Sequence, residues 1–304
     1  MSLAQYVRIL GRGPGRSRSL TQDEAFDAMT LMLAEGTAPE AIGAVLMLLR
    51  MKGETAEEIA GFAAAAQAAL PALPQVDLDW PSYAAGRTRG APWFLSAAKQ
   101  VATTGPRVLL HGWNGADPKV RAGLADLGIE VVTTADAAAT ALERDRIAYL
   151  PLETVHPKLF HLLSLRSELG LRSCVNTVCR MLNPAGATAS VQGVFHPSYR
   201  LLQADAGALL GWRSLTVIKG GGGEFERNPA KDISAFGLRN GQPWEATLPA
   251  LVPDTRRLAE PTGAALGPNW EAQTPDAFEA AIITGTADAA LGTTAALHHP
   301  ESAA

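Results

Sequence analysis

The sequence has few cysteines and no long apolar run. Cys174 and Cys179 are the only cysteines in 304 residues, so a disulfide framework or a cysteine-based zinc site is not expected. We expect two partly buried thiols in a reducing compartment. No stretch reaches the ~18 uninterrupted apolar residues of a membrane span, and no apolar signal core follows the N-terminal arginines. These absences favour a cytoplasmic protein without a membrane segment.

Charge is scarce and unevenly distributed. Charged residues make up 18% of the chain, and the formal net charge is −4. Residues 161–249 hold nine Lys/Arg and six Asp/Glu, whereas residues 250–304 hold two and seven. The overall charge does not indicate a nucleic-acid-binding protein, but the distribution places any anion site in the middle of the chain.

The first 70 residues predict a helical array. The segments 21–24, 37–40 and 55–58 each read Thr-x-x-Glu, which is the pattern of a helix N-terminal capping box. The second predicted helix is apolar nearly all round from Ile42 to Met51. Such a helix is either buried on both sides within its domain or forms part of a subunit interface.

The remainder of the chain predicts an α/β domain. Prolines and glycines mark residues 71–92 as a connecting segment, after which short apolar runs alternate with helical patterns. This alternation favours a parallel sheet with helical crossovers. A last helix is predicted from Pro275 to Ile283, ending at Gly285. The predicted strands are 107–111, 130–133, 147–150, 190–195 and 214–218, and the predicted intervening helices are 93–103, 119–127 and 199–210.

Three segments carry a family resemblance. They are 20–62, 155–184 with its Arg166-Ser167-Glu168-Leu169-Gly170-Leu171-Arg172 run, and 191–223. Together they resemble the anthranilate phosphoribosyltransferase family, a glycosyltransferase family with a nucleoside phosphorylase-like fold. The resemblance implies a small helical domain over residues 1–72, joined by part of 158–185, and an α/β domain over 73–304 with a central, mainly parallel sheet. It also implies an inter-domain cleft and a homodimer built through the helical domains.

The sequence departs from the family pattern at three places. The family's Gly-Thr-Gly-Gly-Asp loop holds phosphoribosyl pyrophosphate with backbone amides, but residues 79–87 here read Asp-Trp-Pro-Ser-Tyr-Ala-Ala-Gly-Arg. Pro81 has no amide to donate. Leu110 replaces a family lysine, and Phe225 replaces the aspartate of a magnesium-binding pair, which leaves only Glu226 in register.

The altered segment itself resembles a divergent branch of the same family. Its Trp80-Pro81-Ser82-Tyr83 run is followed by Arg87 and Arg89. Characterised members of that branch bind nucleic acid and lack detectable transferase activity. The resemblance therefore implies binding of DNA or another nucleic acid through a basic cleft.

Several residues are candidates for binding phosphate or nucleic acid, and each has an alternative interpretation. The glycine turn after Lys219 is either a phosphate cradle or a flexible turn. The arginines either contact an anion or form ion pairs, such as Arg172 with Glu168. His111 and Asn114 are either ligand-binding or simply hydrogen-bonding residues of the cleft. The candidates are Arg87, Arg89, His111, Gly112, Asn114, Arg166, Arg172, Lys219, Gly220, Gly221, Gly222, Gly223 and Arg227.

A fourth group mixes basic and aromatic residues. Basic side chains interleaved with exposed rings can bind a nucleic-acid strand, whereas buried rings would only pack in the core. The group comprises Trp80, Tyr83, Arg87, Arg89, Trp93, Phe94 and Lys99.

Two functions remain open from the sequence. The leading hypothesis is a dimeric nucleic-acid-binding protein that requires no cofactor. The alternative is a phosphoribosyl or other glycosyl transferase acting on an unidentified acceptor, with Mg²⁺ and phosphoribosyl pyrophosphate and with Glu226 as a metal ligand.

Overall fold

The N-terminal helices form as the capping pattern predicts at two of three positions. In the computed structural model, which describes residues 2–13, 15–83, 90–114, 118–258 and 276–296, both Thr21 and Thr55 accept a hydrogen bond from the amide of the glutamate three residues on. The carboxylate of each glutamate accepts a hydrogen bond from the threonine amide, which completes the capping box. The helices are α1 Ala4–Gly11, α2 Gln22–Leu33, α3 Pro39–Lys52 and α4 Ala56–Ala68.

The third predicted capping box is wrong. Helix α3 has Ala38 as its N-cap and no side-chain cap. Pro39 occupies the first helical position, where its missing amide needs no partner. Thr37 instead donates its hydroxyl to the carbonyl of Leu31 at 2.6 Å, which closes the loop between α2 and α3.

Helix α3 buries one face and leaves part of the other uncovered. Ile42, Val45, Leu46 and Leu49 are buried, whereas the side chain of Met51 is 82% exposed. The apolar core around these helices extends to residues much later in the chain, within 159–182. Residues from the α/β part of the sequence therefore pack into the helical core.

A seven-stranded sheet forms the centre of the second part of the described chain. Its order is β3-β2-β1-β4-β5-β6-β7, with β1 to β5 parallel and β6 and β7 antiparallel. This arrangement confirms the predicted fold class. The strands are β1 Leu78–Ser82, β2 Val108–Gly112, β3 Ile147–Pro151, β4 Ala189–Val194, β5 Ser214–Lys219, β6 Ile233–Arg239 and β7 Gln242–Leu248.

Further helices follow α4 in the described part of the chain. They are α5 Trp93–Thr103, α6 Pro118–Asp126, α7 Ala135–Asp145, α8 Leu152–Val155, α9 Pro157–Ser164, α10 Arg166–Leu169, α11 Val175–Arg180, α12 Tyr199–Leu209 and α13 Ala277–Ala295. Helices α9 to α11 run alongside the N-terminal helices, and α13 packs against α5. No helix in the described ranges is long and apolar enough to cross a bilayer.

Two strand predictions need correction. The segment 71–92 contains β1, a fully buried strand near the middle of the sheet, because the apolar burial of Leu78 and Trp80 outweighs the turn signals around them. The predicted strand 130–133 contributes only an isolated bridge from Val131 to Tyr149.

The last part of the chain also differs from prediction. Asn240 and Gly241, both with positive φ, connect β6 to β7 in a hairpin that was not predicted. Helix α13 begins after an Asp276 cap and continues past Gly285 to Ala295. Gly285 does not end the helix; a Cβ there would lie 2.5 Å from the Leu251 side chain, so glycine serves close packing. Pro275 lies outside the described residues.

Candidate functional site

The strand order creates a crevice at the carboxyl ends of the parallel strands. The chain proceeds from β1 to β2 and β3 on one side, and from β4 to β5 on the other. In open α/β sheets, ligands bind outside the carboxyl ends of the strands at such a reversal. Trp113 follows β2, and Phe195 and His196 follow β4, so these three residues lie at those strand ends.

Two adjoining cavities of about 300 and 400 Å³ open at these strand ends. They share Arg166, Arg172, Ser173 and Asn176, and together we call them the arginine pocket. No aspartate or glutamate lines either cavity within the described part of the chain. The lining residues are Arg50, Trp113, Leu163, Ser164, Arg166, Ser167, Gly170, Leu171, Arg172, Ser173, Asn176, Thr177, Arg180, Val194, Phe195, His196, Tyr199 and Gln203.

Arg180 is the buried cation of the pocket. Only 7% of the residue is exposed, and its guanidinium donates to the carbonyl and the side-chain oxygen of Asn176. Burial lowers the pKa of Arg180, and the charge of Glu224 partly offsets that effect. A buried guanidinium at a cavity wall is stabilised by an anion, which makes Arg180 a candidate ligand contact.

Arg166 and Arg172 were both predicted as anion contacts, and both line the pocket. Part of the Arg172 side chain is exposed, but the burial of the rest lowers the pKa of its guanidinium, and the like charge of Arg166 lowers that pKa further. The predicted ion pair between Arg172 and Glu168 is not among the ion pairs of the described residues. Arg50 and Arg166 likewise have no carboxylate within 4.0 Å in that part of the chain. The pocket therefore brings several arginines together, and no Asp or Glu is among its lining residues in the described ranges.

Most amides of the glycine turn after Lys219 donate to backbone carbonyls, which does not favour a phosphate cradle there. The amides of Gly220, Gly221 and Gly223 donate to the carbonyls of Val194, Glu226 and Gly220, respectively. Gly221–Gly223 form a 3₁₀ turn in which Gly222 and Gly223 have positive φ. A Cβ on Gly220 would lie 1.6 Å from the carbonyl oxygen of Glu224. The glycines therefore serve close backbone packing, while Lys219 remains exposed at the edge of the sheet.

His111 lies in a buried polar network. Only 1% of it is exposed; its Nδ1 lies 2.9 Å from the Tyr83 hydroxyl, and its Nε2 lies 3.1 Å from Oδ1 of Asp79. The His111–Asp79 contact is close but is not aligned as a hydrogen bond. The other oxygen of Asp79 accepts from Ser190 at 2.7 Å. This geometry favours the second interpretation, in which His111 organises the strand ends.

Asn114 and Gly112 have similar structural roles. Asn114 donates to the Ser82 hydroxyl at 2.9 Å and accepts from the Tyr149 hydroxyl at 3.1 Å. A Cβ on Gly112 would lie 2.0 Å from the carbonyl oxygen of Ser82. Both residues hold the ends of β1 and β2 together.

The basic and aromatic group does not form an exposed stacking surface. Trp80, Tyr83, Trp93 and Phe94 are all between 0 and 3% exposed, so their rings pack inside the protein. Arg87 and Arg89 lie outside the described residues.

Arg227 does not line the pocket. Its guanidinium donates to the carbonyl of Pro249, and its amide donates to the Thr286 hydroxyl at 2.9 Å. Burial lowers the pKa of Arg227, and the charge of Asp288 offsets this effect. Arg227 therefore holds α13 and the segment after β7 in place.

Comparison with known proteins identifies the relatives of this chain. Residues 4–69 match the model of the glycosyl transferase family helical bundle domain, and residues 95–265 match that of the family's a/b domain. Anthranilate phosphoribosyltransferase from Bacillus caldotenax is 30% identical over 230 residues, which cover 74% of this chain and 94% of that protein. The enzyme from Solibacter usitatus is 34% identical over 240 residues, which cover 75% and 69%. The chain belongs to the anthranilate phosphoribosyltransferase family.

Solved structures share the fold of this family member. Anthranilate phosphoribosyltransferase from Thermus thermophilus superposes with a TM-score of 0.79 at 23% identity, covering 99% of this chain and 91% of that one. The Saccharomyces cerevisiae enzyme in complex with PRPP and Mg gives a TM-score of 0.73 at 17% identity, covering 98% and 89%.

The residues of this family member do not fit a magnesium ion at the predicted place. Glu226 is fully buried, and its Oε2 accepts from the amide of Phe94, in the first turn of α5, at 3.1 Å. Phe225 is also buried and packs edge-to-face on Trp80, with ring centroids 5.5 Å apart. No group of three or more potential metal ligands occurs within the described ranges. Glu226 acts as a helix cap for α5.

Arg50, Phe195 and His196 are among the pocket residues that the sequence does not predict. Arg50 comes from the last turn of α3, far in sequence from the other arginines. Phe195 and His196 directly follow β4. Residues that follow a parallel strand often bind ligands, and this position is the sequence signal that indicates them. Phe195 was instead predicted as the last residue of the strand.

Proposed function

We propose that this family member does not hold phosphoribosyl pyrophosphate as its relatives do, and that it binds nucleic acid through the arginine pocket. The observation that carries the proposal is the set of four arginines that line the pocket, Arg50, Arg166, Arg172 and Arg180. Phosphate oxygens suit guanidinium groups, and contacts of this kind depend little on base sequence.

The departure from the family pattern supports the first part of the proposal. The two family models match residues 4–69 and 95–265, which leaves 70–94 unmatched between them. That interval contains β1, where Trp80 is fully buried and Pro81 offers no amide.

Helix α5 supports the same conclusion. The N-terminus of a helix attracts anions through its free amides and its dipole. Here the carboxylate of Glu226 already accepts from the Phe94 amide. A protein carboxylate thus occupies a place that a diphosphate would need.

A homodimer through the helical domains is part of the proposal. The exposed Met51 and the apolar character of α3 favour a second copy on that face. A dimer would present two arginine pockets to one nucleic-acid chain, which would raise the affinity through avidity.

The proposal is tested with a fluorescent oligonucleotide and fluorescence anisotropy at low salt. Arg166→Gln removes one pocket cation, and we expect binding to weaken about five- to ten-fold because a charge-assisted contact is lost. Arg213→Gln is the matched control, since Arg213 precedes β5 and lies at the opposite edge of the sheet from Lys219. The proposal is wrong if micromolar oligonucleotide fails to bind, or if both variants weaken binding equally.

A second candidate is transfer of a phosphoribosyl or other glycosyl group to an unidentified acceptor. The names of the relatives favour it, as does the size of the two cavities, which suits a small molecule. Titration calorimetry with phosphoribosyl pyrophosphate and Mg²⁺ separates the candidates. Saturable heat would support the transferase, and its absence would exclude binding of the donor.

A further inference from the structure

Phe195 is a large apolar side chain left exposed at the mouth of the arginine pocket. Its residue is 58% exposed, although it directly follows Val194, which is 3% exposed. We infer that Phe195, supported by His196, stacks on an unpaired base, so that the pocket takes single-stranded nucleic acid rather than a duplex. This inference rests on the proposed function and names the class of nucleic acid.

The Phe195 ring contacts a neighbouring ring. It meets the His196 ring edge-to-face, with centroids 4.9 Å apart and planes at 83°. The backbone of Phe195 lies near Gly223, where an added Cβ would be 3.7 Å from Cβ of Phe195. Because 58% of the Phe195 residue is exposed, a base can stack on its ring.

The ring and the buried cation meet at the same turn. The added Cβ on Gly223 would also lie 3.4 Å from Nη2 of Arg180. Phe195 and Arg180 therefore flank one glycine, and both line the same cavity, Phe195 as an exposed residue and Arg180 as a buried one. The cavity thus combines a surface for a flat base with a cation for a phosphate.

The surrounding charge identifies the occupant. An apolar peptide would bring no negative charge to the four arginines that line the pocket, whereas a nucleic-acid strand supplies both a phosphate and a base. A duplex hides its base faces in the stack, so only an unpaired strand can use Phe195. Every base has such a face, and the contact is therefore tolerant of sequence.

The experiment compares two single-stranded probes of equal length and charge, one with bases and one abasic. Phe195→Ala should weaken binding of the base-containing strand about ten-fold and leave the abasic strand unchanged, because only stacking is lost. Phe195→Trp keeps an aromatic face and should bind the base-containing strand at least as tightly as the unaltered protein. Leu201→Ala is the matched control, since Leu201 is 54% exposed on α12 and does not line the pocket.

The outcomes separate this inference from the proposed function. If the unaltered protein binds neither probe, the proposed function itself is wrong. If it binds both probes equally and Phe195→Ala changes neither, the arginine pocket binds phosphates but the stacking inference is overturned. Loss of both probes in Phe195→Ala would also overturn it, because the effect would not depend on bases.

Discussion

Glycines at the carboxyl ends of the strands allow backbone segments to approach where no side chain fits. A Cβ on Gly112 would lie 2.0 Å from the Ser82 carbonyl oxygen, and one on Gly193 would lie 2.0 Å from the carbonyl carbon of Glu224. The first approach joins the ends of β1 and β2, and the second brings β4 close to the turn after β5. The candidate site therefore rests on close backbone packing.

This packing predicts opposite effects for two glycine substitutions. Gly112→Ala should lower the free energy of unfolding by about 1–3 kcal/mol, because the backbone must shift to admit the methyl group. Gly43→Ala is the matched control: it lies within α3, and its Cβ would make an ordinary 3.8 Å contact with Leu169. We expect Gly43→Ala to stabilise the protein by about 0.5–1 kcal/mol.

Urea denaturation of both variants measures these differences. Equal stability of Gly112→Ala and the unaltered protein would contradict the close approach of β1 and β2.

Residues of the site that lie close to one another in the sequence could be predicted together. Arg166 and Arg172 fall within one short segment, and both line the pocket. Arg227 also follows the glycine turn, but its guanidinium donates to the carbonyl of Pro249, 22 residues later. No local sequence pattern indicates this contact. Arg50 was missed for the same reason, since it approaches from a separate helix.

At the scale of elements, polar groups at helix ends explain both successes and errors. The capping boxes of α2 and α4 were readable because both partners lie within four residues. The cap of α5 was not readable, because Glu226 and Phe94 are 132 residues apart. The turn at Asn240-Gly241 is local and has the residue pair typical of a two-residue hairpin loop.

The cap of α5 gives a prediction for the element that it holds. Glu226→Gln should lower the free energy of unfolding by about 1–3 kcal/mol, because the negative charge at the helix N-terminus is lost. Glu130→Gln removes an exposed carboxylate that pairs with Arg144, and we expect it to cost less than about 1 kcal/mol.

Thermal or urea unfolding of both variants provides the measurement. If the two substitutions have equal effects, the carboxylate of Glu226 is not the cap that stabilises α5.

At the scale of the whole molecule, the reversal of strand order brings distant segments to one crevice. The sequence predicted alternating strands and helices but not the order β3-β2-β1-β4-β5, because that order depends on long-range pairing. The segment from α9 to α11 contributes to the helical core and also supplies Arg166, Arg180 and, from the α10–α11 connection, Arg172 to the pocket. The arginine pocket therefore forms where the helical core meets the sheet.

The most direct test is the salt dependence of single-strand binding, measured by anisotropy for the unaltered protein and for Arg166→Gln. If the pocket arginines bind phosphates, the logarithm of the affinity should fall linearly with the logarithm of the salt concentration. Arg166→Gln should reduce that slope by about 0.7, the value for one lost phosphate contact on a single strand. An affinity that does not change with salt, or a slope that Arg166→Gln leaves unaltered, would contradict phosphate binding in the arginine pocket.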